Sequence, residues 1–183
     1  VFFLGSTFLF DKFATYLKNN SHVVKINSQL HIYQDGIYIN GYKHIEQTMI
    51  DMIPNLKKTQ RREVLDYMEL IAEEVTPSDA RYIAFKNGIY DLVTDTLLPY
   101  SPEYVITNRI PWDYIPDAQS ELAERTLNKL ACDDPSIVAL LQECIGYCFY
   151  RRNELGKAFI LTGDKSNGKS TFLDVIKYML GDE

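Results

Sequence analysis

Nine consecutive residues in the last quarter of the chain have the types and spacing of a loop that binds phosphate groups. They fit the pattern G-x-x-x-x-G-K-[ST], extended by one threonine. The two glycines of the pattern let the backbone curl, so that successive N–H groups point inward toward phosphate oxygens. The pattern therefore predicts a nucleotide site formed by Gly163, Asp164, Lys165, Ser166, Asn167, Gly168, Lys169, Ser170 and Thr171.

Two side chains of this loop have specific tasks in the predicted site. Lys169 would neutralise the β- and γ-phosphates of ATP as a point charge, which makes it the candidate catalytic residue. The Ser170 hydroxyl would ligate a Mg²⁺ ion that bridges the same phosphates, so ATP and Mg²⁺ are the expected ligands. The alternative interpretation is a glycine-containing turn that leads into a helix with an ordinary surface lysine.

The residues on either side of the loop agree with a phosphate site. The apolar run of residues 158–162 has the length of a strand, and residues 172–180 have the spacing of an amphipathic helix that ends at Gly181. Hydrolysis would also need an acidic residue on a later strand, and none can follow within these 183 residues. Asp133 and Asp134 precede Pro135 and are interpreted as a helix cap, so the chain holds half of an ATP site.

The rest of the pattern predicts helices and β-hairpins. Helices are expected at residues 8–17, 43–53, 61–75, 121–130 and 134–150. Hairpin turns are expected at Asp35-Gly36, Asn87-Gly88 and Thr94-Asp95, and a proline-rich loop covers residues 99–116. We predict an α+β domain of helices plus hairpins over residues 1–152. The first strand, loop and helix of an α/β P-loop NTPase domain would follow over residues 153–183.

Charge restricts the ways in which the chain can contact nucleic acid. The formal net charge is -6, with 46% hydrophobic and 24% charged residues, which is typical of a folded protein that does not coat nucleic acid by bulk charge. The densest local basic group consists of Lys57, Lys58, Arg61 and Arg62. It could contact a DNA backbone, but the acidic residues that follow favour a solvated helix start. The same two interpretations apply to Arg151-Arg152.

Cysteine and aromatic usage points to a reducing compartment and a packed core. Three cysteines are too few for a disulfide framework, so a cytosolic setting is expected, with Cys144 and Cys148 as buried structural residues. Most of the 13 tyrosines lie in β-prone runs, where they are expected to pack. The apolar opening, residues 1–10, is too short for a membrane span, so no membrane partner is expected. The start at Val1 and the stop at Glu183 suggest an excerpt of a longer protein.

Two regions together resemble a known family. The downstream region comprises residues 140–147, 158–163 and 167–173, and the upstream region comprises residues 85–92, 97–102 and 107–111. The chain resembles phage and plasmid primase-helicases, which belong to the superfamily 3 helicases of the poxvirus type. The upstream region resembles the accessory domain that precedes the motor in that family. One departure is Lys165, because many members have a second glycine there.

The resemblance implies a DNA-dependent motor. The full-length protein would be an ATP-dependent DNA helicase with an AAA+-like domain, forming a homo-hexameric ring on single-stranded or forked DNA. The resemblance also implies that the acidic, sensor and arginine-finger motifs lie beyond residue 183, so this segment alone would be inactive. A phage or plasmid protein would work in the cytoplasm of a bacterial host. Two alternatives stay open: a non-enzymatic module for DNA docking or ring assembly, and another P-loop NTPase that is indifferent to DNA.

Overall fold

The computed structural model describes residues 2–181, and its contacts divide them into two compact units. The first unit runs up to Ser78 and adds Tyr100–Asn108, whereas the second contains Asp79–Pro99 and continues from Arg109. Helices and antiparallel strands occur in both units, which confirms the expected α+β class. The domain boundary predicted between residues 152 and 153 lies inside the second unit and stays a prediction.

The first unit is built on a cluster of buried apolar side chains. Its elements are β1 (Phe3–Leu4), β2 (Thr7–Phe8), α1 (Phe10–Asn20), β3 (Val24–Ile26), β4 (Gln29–Gln34), β5 (Ile37–Asn40), α2 (Tyr42–Met52) and α3 (Lys58–Ile71). The strands β3, β4 and β5 form one antiparallel sheet in that order. The apolar faces of the three helices meet this sheet because their apolar residues recur at helical spacing. The cluster includes Phe13, Leu17, Ile32, Ile45, Met49, Val64 and Met68.

The β4–β5 hairpin has the turn that its sequence predicts. Gln34 pairs with Ile37, so Asp35 and Gly36 form a two-residue loop, and both have positive φ, +50° and +88°. Positive φ at both positions is the geometry of a type I′ turn, which matches the twist of the flanking strands. Gly36 has a second reason to lack a side chain, because a Cβ there would lie 2.4 Å from the Tyr100 ring.

Two helices of this unit differ from their predicted bounds by more than one residue. The predicted helix at residues 8–17 begins only at Phe10, because Phe8 pairs with Phe3 in the β1–β2 hairpin, and it continues to Asn20. The helix predicted over residues 61–75 begins at Lys58 and ends at Ile71. It ends early because the following residues pair with β3: Lys25 donates its N–H to the Glu73 carbonyl, and Val75 donates to the Lys25 carbonyl, each at 2.8 Å. Pairing with the sheet satisfies backbone groups that a longer helix would have used.

The second unit combines a small sheet with three helices. Its elements are β6 (Tyr82–Phe85), β7 (Gly88–Asp91), β8 (Thr96–Leu98), α4 (Glu121–Leu130), α5 (Pro135–Phe149) and α6 (Lys169–Leu180). The three strands are antiparallel in chain order. The predicted helix starts are confirmed: the Ala123 N–H donates to the Ser120 hydroxyl, and the Ser136 N–H donates to the Asp134 carboxylate. The Ser136 hydroxyl also donates to the Asp134 carboxylate, and the two hydrogen bonds from Ser136 lower the pKa of Asp134.

The turn of the β6–β7 hairpin lies one residue earlier than predicted. Phe85 pairs with Gly88, so the loop residues are Lys86 and Asn87, and Gly88 belongs to the strand. A Cβ on Gly88 would lie 2.6 Å from the Leu98 carbonyl oxygen of the neighbouring strand. The glycine at this position therefore serves a close approach of two backbones.

Two polar side chains of this hairpin, Asn87 and Asp91, form hydrogen bonds with nearby segments of the same chain. The Asn87 side chain accepts from the Tyr114 N–H at 2.8 Å and donates to the Tyr114 carbonyl at 2.9 Å. Asp91 is buried, accepts from Arg81 at 3.1 Å, and accepts from the Val93 N–H at 3.0 Å. Asn87 and Asp91 therefore both have hydrogen-bond partners within the second unit.

The strand predicted at residues 158–162 is not formed in the described part of the chain. These residues carry neither strand nor helix, and Ile160 is 86% exposed. A strand needs a hydrogen-bonded neighbour, and no strand of the described residues pairs with this run. Phe159 still packs edge-on against Tyr147 of α5, with ring centroids 5.8 Å apart.

Asp91→Ala is expected to lower the free energy of unfolding of the protein by about 2 kcal/mol, because Arg81 and the Val93 N–H lose their shared acceptor. Urea denaturation measures the change. Asp113→Ala, which removes an exposed carboxylate of the same unit, serves as the control. Equal stabilities for the two variants would contradict the structural role of Asp91.

Candidate phosphate-binding site

The loop of residues 163–168 has the backbone that its glycines predict. Gly163 and Gly168 have φ values of +150° and +88°, which L side chains rarely adopt. A Cβ on Gly163 would lie 2.4 Å from the Asn167 amide nitrogen, so the loop closes tightly on its first residue. Lys165 has no positive φ, whereas Ser166 has φ of +59°. The backbone at residue 165 therefore has a conformation that a lysine can adopt, and no glycine is required there.

The Lys169 side chain folds back over the loop. Its ammonium group donates to the carbonyl oxygens of Gly163 at 2.9 Å and Asp164 at 2.6 Å. It also donates to the Asn167 side-chain oxygen at 2.7 Å. Three oxygen atoms of the same loop thus surround one cation. The structure brings together Gly163, Asp164, Asn167 and Lys169 of the predicted set, and it leaves the side chains of Lys165 and Ser166 exposed.

The helix that follows presents N–H groups at the end of the loop. The first hydrogen bond of α6 runs from the Phe172 N–H to the Gly168 carbonyl at 2.9 Å. The N–H groups of Lys169, Ser170 and Thr171 are therefore not used by the helix itself. Aligned peptide dipoles add partial positive charge there, which attracts anions. The side chains of Ser170 and Thr171 are exposed on this first turn.

Buried side chains fix the position of α6. Phe172 and Ile176, one turn apart, are both buried, as the predicted apolar spacing requires. At the far end, the indole N–H of Trp112 donates to the Tyr178 carbonyl at 3.1 Å. The helix ends as predicted at Gly181, whose φ of +83° is the left-handed conformation of a C-terminal cap. The loop is thus anchored to the second unit through its helix.

The residues that would hold a magnesium ion are few. Within residues 2–181, no group of three or more histidine, cysteine, aspartate or glutamate side chains is placed to hold a metal. The Ser170 hydroxyl is compatible with Mg²⁺, which accepts oxygen ligands and keeps phosphate oxygens and waters as the others.

The four basic residues of the predicted DNA patch have different environments. Arg61 is half-buried, pairs with Glu46 at 3.0 Å, and donates to the Leu56 carbonyl at 2.8 Å. Arg62 pairs with Asp66 at 3.5 Å on the exposed face of α3. Lys57 and Lys58 are exposed, and no carboxylate of the described residues lies within ion-pair distance of them. The run therefore separates into two paired arginines and two lysines open to solvent.

Arg151 has a structural role that the sequence did not reveal. Its guanidinium donates to the Tyr82 carbonyl at 2.8 Å and to the Asp79 carbonyl at 2.7 Å. Burial lowers the pKa of this side chain. The distance of about seventy residues between the partners leaves no local signal for this contact. Arg152, in contrast, pairs only loosely with Glu154 at 3.9 Å.

The cysteine prediction was correct for one residue. Cys144 is buried in α5, and burial raises the pKa of its thiol. Cys148 is exposed, so the prediction that it is buried was wrong. It lies one turn further along α5 than Cys144.

Several tyrosines pack against other aromatic rings, as predicted. The rings of Tyr90 and Tyr114 have centroids 4.4 Å apart in the second unit. In the first unit, the ring centroids of Tyr33 and Tyr38 lie 5.2 Å apart.

No helix within residues 2–181 is long and apolar enough to cross a membrane.

Comparison with known proteins identifies the region before the loop. A 103-residue stretch, 55% of this chain, is 27% identical to a protein of Acanthamoeba polyphaga mimivirus whose name assigns it provisionally to the helicases. The chain spans only 11% of the length of that relative. The family model described as "D5 N terminal like" matches residues 6–132, which is more than half of the chain and ends before the phosphate loop. The chain therefore belongs to the D5 N terminal like family.

Proposed function

We propose that this chain carries the ATP-binding loop and the preceding accessory domain of a replicative DNA helicase. The observation that carries the proposal is the closed loop in which Lys169 contacts three oxygen atoms of residues 163–167. An ammonium group held there, beside the unused N–H groups of α6, is placed to meet a polyphosphate. Membership of the D5 N terminal like family and the helicase name of the viral relative support the choice of a helicase.

Each residue of the loop has a task in this proposal. Lys169 exchanges loop oxygens for β- and γ-phosphate oxygens, and Ser170 holds the Mg²⁺ that accompanies the nucleotide. The N–H groups of the loop and of the first turn of α6 bind the remaining phosphate oxygens. The bound metal supplies charge neutralisation at the phosphates. Residues outside this chain would position the attacking water, so hydrolysis belongs to the full-length protein.

The proposal also covers the assembly, the DNA substrate and the location of the full-length protein. The full-length protein would act as a superfamily 3, AAA+-like ATPase, assemble as a homo-hexameric ring and move on single-stranded or forked DNA. It would work in the cytoplasm of a host cell. A module for DNA docking or ring assembly without ATPase activity is the second candidate. The exposed Lys57 and Lys58 favour it, since two cations at the start of a helix repel its positive end unless an anion joins them.

Lys169→Ala is expected to weaken Mg-ATP binding to the full-length protein about a hundredfold, because a charge at the phosphates is lost. Ser170→Ala is expected to weaken binding only when Mg²⁺ is present, because the hydroxyl contacts the metal and not the phosphates. Calorimetric titration with and without Mg²⁺ measures both effects.

Asp174→Asn, an exposed change on α6, serves as the control for these two variants. Wild-type affinity in Lys169→Ala would overturn the phosphate site. An equal loss with and without Mg²⁺ in Ser170→Ala would overturn the assignment of the metal ligand.

Asn167→Ala is expected to weaken Mg-ATP binding about tenfold, because the Asn167 side chain lies against Gly163 and its loss loosens the curl that presents the loop N–H groups to the phosphates. Asn167→Asp keeps an oxygen acceptor for Lys169 but adds a negative charge beside the phosphates, so it should bind more weakly than Asn167→Ala. The reverse order of affinities, also measured by calorimetry, would show that residue 167 does not lie beside the bound phosphates.

Single-stranded DNA is expected to bind less tightly when Lys57 and Lys58 are both replaced by alanine, with the slope of log affinity against log salt reduced by roughly 1 to 2. Arg62→Ala should leave this slope nearly unchanged, since its charge is already paired with Asp66. Fluorescence anisotropy with a labelled oligonucleotide at several salt concentrations measures the slopes. An unchanged slope in the double variant would remove this surface from the DNA path.

A further inference from the structure

A cavity of about 470 Å³ lies directly beside the phosphate loop, within the second unit. It is bounded by α4, α5 and α6, and its walls include Leu127 and Leu130 of α4 and Phe172 and Val175 of α6. The volume is in the range of pockets that hold small ligands. No charged side chain of the described residues lines it, although several charged groups lie on the same helices. The cavity therefore suits a neutral, largely apolar group.

The helix α4 has an apolar stripe that the second unit leaves unburied. Ala123, Leu127 and Leu130 recur at helical spacing on one side of α4, yet no residue of α4 is buried. A stripe of this kind normally packs against another surface. The Leu130 side chain already reaches the loop, because its Cδ2 would lie 3.3 Å from a Cβ on Gly168. The stripe and the phosphate loop are thus in direct contact.

The cavity is also continuous with the proposed phosphate site. Gly168 and Thr171 line the cavity and belong to the phosphate motif, so a ligand held at the loop has its nearest apolar surface here. The hydroxyls of Thr126 and Thr171 are polar groups at its wall. The Thr126 hydroxyl already donates to the Leu122 carbonyl at 2.7 Å, so it can only accept a further hydrogen bond, whereas the Thr171 hydroxyl can meet the polar edge of a heterocyclic ring. Apolar walls with a few hydroxyls are the surroundings that a flat aromatic ring requires.

We propose that this cavity binds the base of the nucleotide whose phosphates lie at the loop. The inference rests on the proposed function, because a nucleotide must first bind at Lys169. It adds that α4, from the part of the chain matched by the family model, forms one wall of the base site. The accessory region and the phosphate loop then contact the same ligand at two points, base and phosphate.

The test compares ATP with inorganic tripolyphosphate, which has the phosphates but no base. Leu127→Trp and Val175→Trp each fill the cavity from an opposite wall, and both positions are solvent-accessible, so the larger side chain can be accommodated on folding. Glu124→Trp adds the same side chain to α4 but at a separate polar groove and serves as the matched control. Calorimetry on the full-length protein with Mg²⁺ gives the affinities.

Both cavity variants are expected to bind ATP about tenfold more weakly, while their affinity for tripolyphosphate and both affinities of Glu124→Trp stay at the wild-type level. Unchanged ATP affinity in the two cavity variants, or an equal loss of ATP and tripolyphosphate, would overturn the base site. Lys169→Ala separates this result from the proposed function. If that variant binds tripolyphosphate as tightly as the wild type, the phosphate site itself is wrong.

Discussion

The position of one ammonium group depends on the whole shape of the phosphate loop. Lys169 donates to oxygen atoms at Gly163, Asp164 and Asn167, so the loop must curl until its first residues reach its last. That curl needs positive φ at Gly163 and Gly168 and leaves no room for a side chain at Gly163. It also needs a fixed helix to carry the lysine, and Phe172 and Ile176 provide that by burial. The geometry of the loop and the packing of α6 therefore both fix the position of the Lys169 ammonium group.

Hydrogen bonds within the second unit connect the region before the loop to the helices that surround the loop. Arg151 connects the end of α5 to the Asp79 carbonyl and to Tyr82, the first residue of β6, and Trp112 connects the proline-rich loop to α6. These hydrogen bonds explain why residues far apart in sequence belong to the same unit as the loop. The family match ends at residue 132, so it includes α4 and stops before the predicted phosphate motif.

Local chemistry made much of this structure predictable. The Asp35-Gly36 turn, the helix start at Glu121, the Asp134 cap and the Gly181 stop depend on neighbouring residues only, and each is confirmed. The errors came from distant partners. The early end of α3 follows from pairing with β3, and the shifted turn at Lys86-Asn87 follows from Tyr114 and Leu98.

The candidate site shows the same division between local and distant causes. Its loop residues were predicted from spacing alone, since the glycines and Lys169 act within nine residues of each other. The strand at residues 158–162 has a suitable sequence but no partner among the described residues, so propensity alone did not form it. The pairing of Arg61 with Glu46, and the role of Arg151, depend on contacts between separate elements that no local pattern indicates.

The central claim is that the Lys169 loop powers a DNA-dependent motor, and the rate of ATP hydrolysis by the full-length protein tests it most directly. The rate should be measured with and without single-stranded DNA, for the wild type and for Lys169→Ala. The account predicts turnover that rises with DNA and is lost in the variant. Turnover that ignores DNA, or that survives in Lys169→Ala, would contradict it.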